Sequence, residues 1–339
     1  MAAVRSARVH ALAKLNLDLR VLDLRPDGYH ELRTVFQTIS LHDTIDLAFT
    51  PARRTRITVA SDVEIPGGNI MERAAAMALD AMRVHGHLEL RLAKRIPMGA
   101  GLGGGSSDAA AVLLALPVLA GKVLPLEKML EAATALGSDV PFFLLGGTAL
   151  ALGRGTELYP LPDRPPAPAL VVAPSVHVST REAYRALDAA RRPPAAALVV
   201  APPLHAATRD AARHLTSVAL QNMISSFQSI VWEYGGIPSE RLGQNDFEAV
   251  VFAKVPRLKA LKRQLEMLGA SPAMLSGSGS ALFGLFGGWR EAVRAAGAFG
   301  KDEVFPVRLV TRRGYRALWW RQLGAHLRER VWPPQSRYA

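Results

Sequence analysis

The chain has 339 residues, 49% apolar and 21% charged, enough for a substantial core in one large or two medium domains. It has no cysteine, which excludes disulfides, thiolate catalysis and cysteine–zinc sites, and no apolar run near the length of a membrane span. Its net charge of +12 either keeps the surface soluble or draws an anionic ligand.

Residues 1–20 show no signal-peptide pattern, because Lys14, Asp18 and Arg20 interrupt the apolar stretch. A cytoplasmic location is expected. From Ala11 to Arg20 apolar and polar residues alternate, which predicts a half-buried strand with Lys14 and Asn16 pointing the same way. Such a polar face is usually solvent. Arg25-Pro26-Asp27-Gly28 reads as a turn, followed directly by Tyr29, His30 and Glu31. An aromatic beside an imidazole there can stack on and hydrogen-bond a base, or simply pack. Strands are predicted over 43–49, 55–60 and 87–93, and an amphipathic helix over 69–83.

The densest signal is Pro97-Met98-Gly99-Ala100-Gly101-Leu102-Gly103-Gly104-Gly105-Ser106-Ser107-Asp108, where five of the seven residues from Gly99 to Gly105 are glycine. Glycine loses much conformational freedom on folding, so the run needs a reason. An apolar helix is predicted over 107–119, with the Ser106 or Ser107 hydroxyl as N-cap and Asp108 at the positive end of its dipole. A bare loop at a helix N-terminus aims several N–H groups at one point and suits phosphate oxygens. The other reading is a close-packed turn. No lysine follows Gly105, so this is not a P-loop. Gly99, Gly101 and Gly104 satisfy G-x-G-x-x-G, but the nearest acid at the required distance, Glu127, lies in a helical stretch, so a dinucleotide fold is poorly supported.

A second helix is predicted over 126–135. Asp139 then stands alone among small and apolar residues and reads as an N-cap, with Pro141 near N1. Strands follow over 147–152 and 169–173, and a helix over 179–190 that carries Tyr184 and is capped by Ser179 or Thr180. Residues 191–212, rich in proline and alanine, read as a surface connection, with helices over 213–232 and 245–268. Ser276 to Ser280 is a second bare loop, either a hairpin turn or a place where another backbone comes close. A last strand is predicted over 304–311. Residues 312–337 carry seven arginines against one acid, Glu329, with Trp319, Trp320 and Trp332 among them. They read as an extra helix packed on the body, or as a helix for a membrane surface or acidic partner.

Taken together, Ala13-Lys14-Leu15-Asn16-Leu17, Asp27-Gly28-Tyr29-His30, the glycine loop, Ser138-Asp139-Val140-Pro141, Asn245-Asp246-Phe247-Glu248 and Ser276-Gly277-Ser278-Gly279 resemble the GHMP kinases, the galactose, homoserine, mevalonate and phosphomevalonate kinase superfamily. The resemblance implies an α+β fold with an N-terminal ribosomal-protein-S5-like half, a C-terminal α+β half and the active site in the cleft between. Residues 1–165 and 166–312 would be these halves, with inserted surface structure near 191–243 and a basic extension over 313–339. It implies ATP-dependent phosphorylation of an alcohol. The Asp-Gly-Tyr-His segment sets the chain apart within the superfamily and implies a cytidine diphosphate-linked polyol as acceptor. Asp139 matches the proposed acid–base and Lys14 its charged partner. Tyr29 and His30 match cytidine-recognition positions, Asn16 a polyol contact, and Thr180 and Tyr184 positions near the acceptor. Pro97, Gly99, Ala100, Gly101, Leu102, Gly103, Gly104, Gly105, Ser106 and Ser107 would hold the ATP phosphates, and Asn69 and Lys94 would line the adenine pocket. Mg²⁺ would accompany ATP, with Ser107 the one candidate ligand. No nucleic-acid motif is present, and a monomer or homodimer is expected. The competing readings are a kinase of another small alcohol such as homoserine or mevalonate, a non-catalytic nucleotide-binding protein of this fold, and a nucleic-acid binder acting through the arginine-rich tail.

Overall fold

The computed structural model describes residues 3–339 apart from Pro26, Pro66, Arg164 and 192–242. The expected helix over 213–232, and most of the expected connection and insertion, lie outside the described residues.

The chain opens with two long antiparallel strands, β1 (Arg5–Leu24) and β2 (His30–Pro51). The alternation read over 11–20 is the middle of β1. Its pairing slips between Leu12 and Lys14, between Asn16 and Asp18, and between Val21 and Leu24. Such irregularities bend a strand and re-aim its side chains. In β1 they hand the strand from one core to the next. Val9, Ala11 and Leu12 enter the first core, Ala13, Leu15 and Leu17 another, and Leu19 and Val21 a third.

The far edge of β2 is shared. Leu32 to Gln37 pair with β5 (Thr148–Gly153), and Thr44 to Pro51 pair with β4 (Gly86–Ala93). β3 (Arg56–Ser61) lies parallel to β4, and β6 (Glu157–Pro160) antiparallel to β5, completing a six-stranded sheet. Against it pack α1 (Ile70–Met82), α2 (Gly104–Ala120), α3 (Leu126–Leu136) and α4 (Val140–Leu145). Helix α2 is buried continuously from Ser107 to Leu119, as its all-round apolar sequence requires.

The second sheet has the order β10-β7-β9-β8, all antiparallel, from β7 (Pro168–Ala173), β8 (Ala273–Leu275), β9 (Leu282–Leu285) and β10 (Glu303–Arg308). Helices α5 (Thr180–Arg191), α6 (Phe247–Lys254), α7 (Pro256–Met267) and α8 (Trp289–Ala296) accompany it. The single helix expected over 245–268 is two, because Pro256 has no N–H to continue α6 and instead opens α7. Between the sheets, Leu15, Leu17 and Ile39 of the first hairpin meet Val171, Phe283 and Leu309. The chain ends with α9 (Arg312–Gln322), which returns to the first half and buries Tyr315, Trp319 and Leu323 in its core. The extension thus packs on the body, with its tryptophans engaged there.

Candidate active site

The glycine loop is folded by its own residues. Gly99, Gly101 and Gly103 have φ of 67, 80 and 72°, so every second residue occupies the left-handed region where side chains are disfavoured. This alternation turns successive N–H groups inward. The helix begins earlier than expected. Its N-cap is Gly103, which offers no side chain, and Ser106 and Ser107 lie inside the first turn. Ser107 donates to the Leu12 carbonyl at 2.7 Å and is buried, so its hydroxyl faces the core rather than the cavity, against the expectation that it caps the helix or holds a metal. Asp108 likewise does not sit at the dipole as a free anion. Together with Asp43 it flanks the Lys94 ammonium, 2.9 Å away on the Asp108 side. Burial first, then the neighbouring Asp43 charge, pushes the Asp108 carboxyl up to about 7 against the pull of Lys94. Burial would lower the Lys94 ammonium, but the two carboxylates outweigh it and hold it above its ordinary range.

A cavity of about 380 Å³ opens over this loop. Pro97, Gly99 to Ser106, Asn69 and Lys94 line it. Asn69 also caps α1 by accepting from the Met71 N–H at 3.0 Å. Lys94 braces the loop from beneath through its carboxylates. Gly101 borders both this cavity and a larger one of about 680 Å³. At Gly101 the two halves touch: Ser276 Oγ donates to its carbonyl at 3.0 Å, and a Cβ there would overlap the Ser276 carbonyl oxygen. The second bare loop is therefore a place of close backbone approach, one of its two expected readings.

The larger cavity gathers the remaining predicted residues: Lys14, Asn16, Tyr29, His30, Asp139, Thr180 and Tyr184 all line it. The Lys14 Nζ lies 3.5 Å from Asp139 Oδ2, with side-chain exposures of 4% and 32%. It also donates to Asn16 Oδ1 at 2.6 Å and sits 5.1 Å above the Phe36 ring. Asn16 passes its amide to Thr34 Oγ1 at 2.8 Å, and Thr34 donates to the Asp18 carbonyl. The polar face of β1 is thus buried, not solvent. Asp139 stands at the N-cap of α4 but makes no capping bond. Its backbone is already helical there, with φ −86° and ψ −14°, so the carboxylate is left for Lys14 and the cavity.

Helix α5 supplies the opposite wall. Thr180, Tyr184 and Asp188 fall four residues apart and share one face. Thr180 Oγ1 bonds Ser278 Oγ at 2.8 Å. The Tyr184 ring stacks on His30 at 4.8 Å and meets Phe247 edge to face at 4.9 Å. Burial, and then the charge of Asp139, pushes its phenol up to about 12, so it remains neutral. Asp188 accepts from His30 Nε2 at 2.7 Å. Tyr29 is half exposed, with the Arg154 guanidinium 3.6 Å over its ring. Among the described residues no cluster of three metal-ligating side chains occurs, and no helix is long and apolar enough to cross a membrane.

The GHMP kinases N terminal domain matches residues 69–147 and the GHMP kinases C terminal domain matches residues 223–302. The 4-diphosphocytidyl-2-C-methyl-D-erythritol kinase of Solibacter usitatus is 54% identical over 338 residues, 100% of this chain and 99% of the relative. The chain belongs to that family of GHMP kinases. The corresponding kinase of Geobacter sulfurreducens is 37% identical over 294 residues, 86% of this chain and 94% of its own. Among solved structures, a 4-(cytidine 5'-diphospho)-2C-methyl-D-erythritol kinase superposes with a TM-score of 0.68 at 36% identity, covering 89% of this chain and 98% of that one. Homoserine kinase from Cytophaga hutchinsonii shares the fold, with a TM-score of 0.60 at 18% identity over 91% and 96% of the two chains.

In this GHMP kinase several site residues escaped the sequence reading. Asp188 carried a signal, since it lies one helical turn beyond Tyr184. Arg154 and Thr34 carried none, because only the pairing of β2 with β5, and the turn that follows β5, bring them to the cavity.

Proposed function

We propose that this GHMP kinase transfers the γ-phosphoryl group of ATP to the 2-hydroxyl of 4-diphosphocytidyl-2-C-methyl-D-erythritol, a step of non-mevalonate isoprenoid precursor synthesis. The observation that carries the proposal is the buried Lys14 ammonium beside Asp139, in a cavity that shares Gly101 with the glycine-loop cavity. The acceptor hydroxyl would lie between the Asp139 carboxylate and the nest of amides. Asp139 takes its proton, the alkoxide oxygen bonds to the γ-phosphorus, and the bond to the β-phosphate oxygen breaks to leave ADP. Lys14 stabilises the developing negative oxygen. Phosphoryl transfer depends chiefly on positioning and charge stabilisation, so holding this geometry is most of the task.

The acceptor's cytosine fits the Tyr29, His30 and Tyr184 wall, where an aromatic face and the free edge of His30 are within one cavity. Asn16 orients Lys14 and borders the polyol. Thr180 ties the acceptor wall to the second bare loop. Asn69 and Lys94 edge the nucleotide cavity. Mg²⁺ would be held by the triphosphate oxygens and water. ATP use and the absence of cysteine suit a cytoplasmic location. The test is mass spectrometry of the products from protein, Mg-ATP and the diphosphocytidyl polyol. A gain of one phosphoryl group on the acceptor with stoichiometric ADP is expected. ATP hydrolysis without acceptor phosphorylation, or phosphorylation of homoserine or mevalonate in its place, would overturn it.

A further inference from the structure

The residues after the last strand do more than cover the first half: they close the C-terminal ends of the two helices whose N-terminal ends face the reactants. Helix α4 has six residues and carries Asp139 at its head. A helix this short is not stable by itself and leaves its last carbonyls unpaired. The extension pairs two of them. Tyr315 Oη donates to the Phe143 carbonyl at 2.5 Å, and Trp332 Nε1 donates to the Leu144 carbonyl at 2.9 Å. The two rings meet edge to face at 5.9 Å, and Arg316 lies 5.3 Å over Trp332. Gly146, just past the helix, has no Cβ because the Tyr315 ring occupies that space. Helix α2, headed by the glycine loop, is treated alike. Ser336 Oγ donates to the Val118 carbonyl at 2.7 Å, and Arg5 to the Leu119 carbonyl at 2.9 Å beneath Tyr338.

We infer that residues 312–338 are a positioning clamp for the phosphoryl-transfer site, with Tyr315 and Trp332 setting the place of Asp139 against Lys14 through helix α4. The distance from clamp to carboxylate is a single short helix, about 9 Å at the usual rise per residue, with Phe142 and Phe143 buried between. A tilt of that helix moves the carboxylate directly, and misplacement by about 1 Å costs roughly a hundredfold in rate. The inference rests on the assignment of Asp139 proposed above.

The experiment compares full-length Tyr315→Phe and Trp332→Phe, each of which removes the donor to α4 and keeps a ring, with Trp319→Phe. Trp319 is buried in the same extension but has no bond to an α4 carbonyl. Steady-state kinetics, thermal melts and nucleotide binding are measured on each, alone and combined with Asp139→Asn. The expected result is a fall in kcat of about tenfold for Tyr315→Phe and Trp332→Phe, with KM for ATP within about twofold of the parent. Trp319→Phe should lower the melting temperature without that fall. In the Asp139→Asn background the two clamp substitutions should cost nothing further, since residues acting through one group are not additive. Unchanged kcat in both clamp variants, or an equal further loss when Asp139 is already replaced, would overturn the clamp. An active Asp139→Asn enzyme would instead overturn the assignment of Asp139.

Discussion

At the scale of single residues, the proposed mechanism turns on two charges that stand 125 positions apart in the chain by their numbers, 14 and 139. Their separation of 3.5 Å depends on Asn16, which holds Lys14, and on the uncapped geometry of Asp139. Asp139→Asn is expected to lower kcat by about a thousandfold, within the range general-base removal gives, while ATP still binds; single-turnover kinetics and calorimetry check the two halves. Tyr29→Ala is expected to raise KM for the cytidine-bearing acceptor about tenfold, the loss of one base-stacking contact, and to leave KM for ATP unchanged. Residue pattern alone presented both carboxylate and lysine in blander roles, a helix cap and a solvent-facing cation; only the resemblance to the GHMP kinases gave them a catalytic one. Alternation does place Lys14 and Asn16 on one face, but it cannot say that the face is covered. Gly103 of the glycine loop and Asp139 come against Lys14, and Gly277 of the second bare loop against Asn16, contacts made at long range.

At the scale of elements, the glycine loop was legible because its physics is local. Only glycine takes positive φ at alternate positions without strain, so the pattern declares the geometry. The beginning of α2 was less legible, since two serines suggested a cap that the chain makes with Gly103 instead. The role of Asp108 was not legible at all, because its partner Lys94 follows β4 and the second carboxylate on that lysine, Asp43, comes from β2. Gly101→Ala is expected to destabilise the fold by about 3 kcal/mol, from left-handed backbone strain together with overpacking against Ser276, and to raise KM for ATP; denaturant unfolding and kinetics check it.

Asp108 makes a prediction about pH. Its carboxyl ionises near 7 in the folded chain, above its unfolded value of 3.8. The folded state therefore holds more protons between those values, and this contribution to stability is complete below about 4 and lost as pH rises through 7. Lys94, held above its ordinary range, stays charged throughout. Asp108→Asn should thus gain on the parent in melting temperature as pH rises from about 4 to 7, and the difference should level off above that.

At the scale of the whole molecule, the two halves suggested by the sequence are not independent, because a third core is shared between them. Strand β1 contributes to all three, and the middle one contains Leu15, Leu17 and Ile39 beside Val171 and Phe283. A fragment ending at residue 165 would expose that middle layer and lose the aromatic residues that α9 returns to the first core. It is expected to aggregate or to melt without cooperativity, which light scattering and circular dichroism would register. Periodicity could not reveal this sharing, because a strand's alternation says which residues are inward and not which core they enter.

The contact at Gly101 has a consequence for how such a kinase changes its acceptor. There the glycine loop and the opposite half meet at close range, through the Ser276 Oγ on the Gly101 carbonyl and the Ala281 N–H on the Ala100 carbonyl. A Cβ at Gly101 would overlap the Ser276 carbonyl oxygen, so the seam has no room to absorb a mismatch. Grafting the second half of a kinase with another preference would bring a foreign chain into that seam and disturb the glycine loop along with the larger cavity it borders. On the proposed assignment, new acceptors would be reached by altering residues such as Tyr29 and Tyr184 one at a time, while the seam stays fixed.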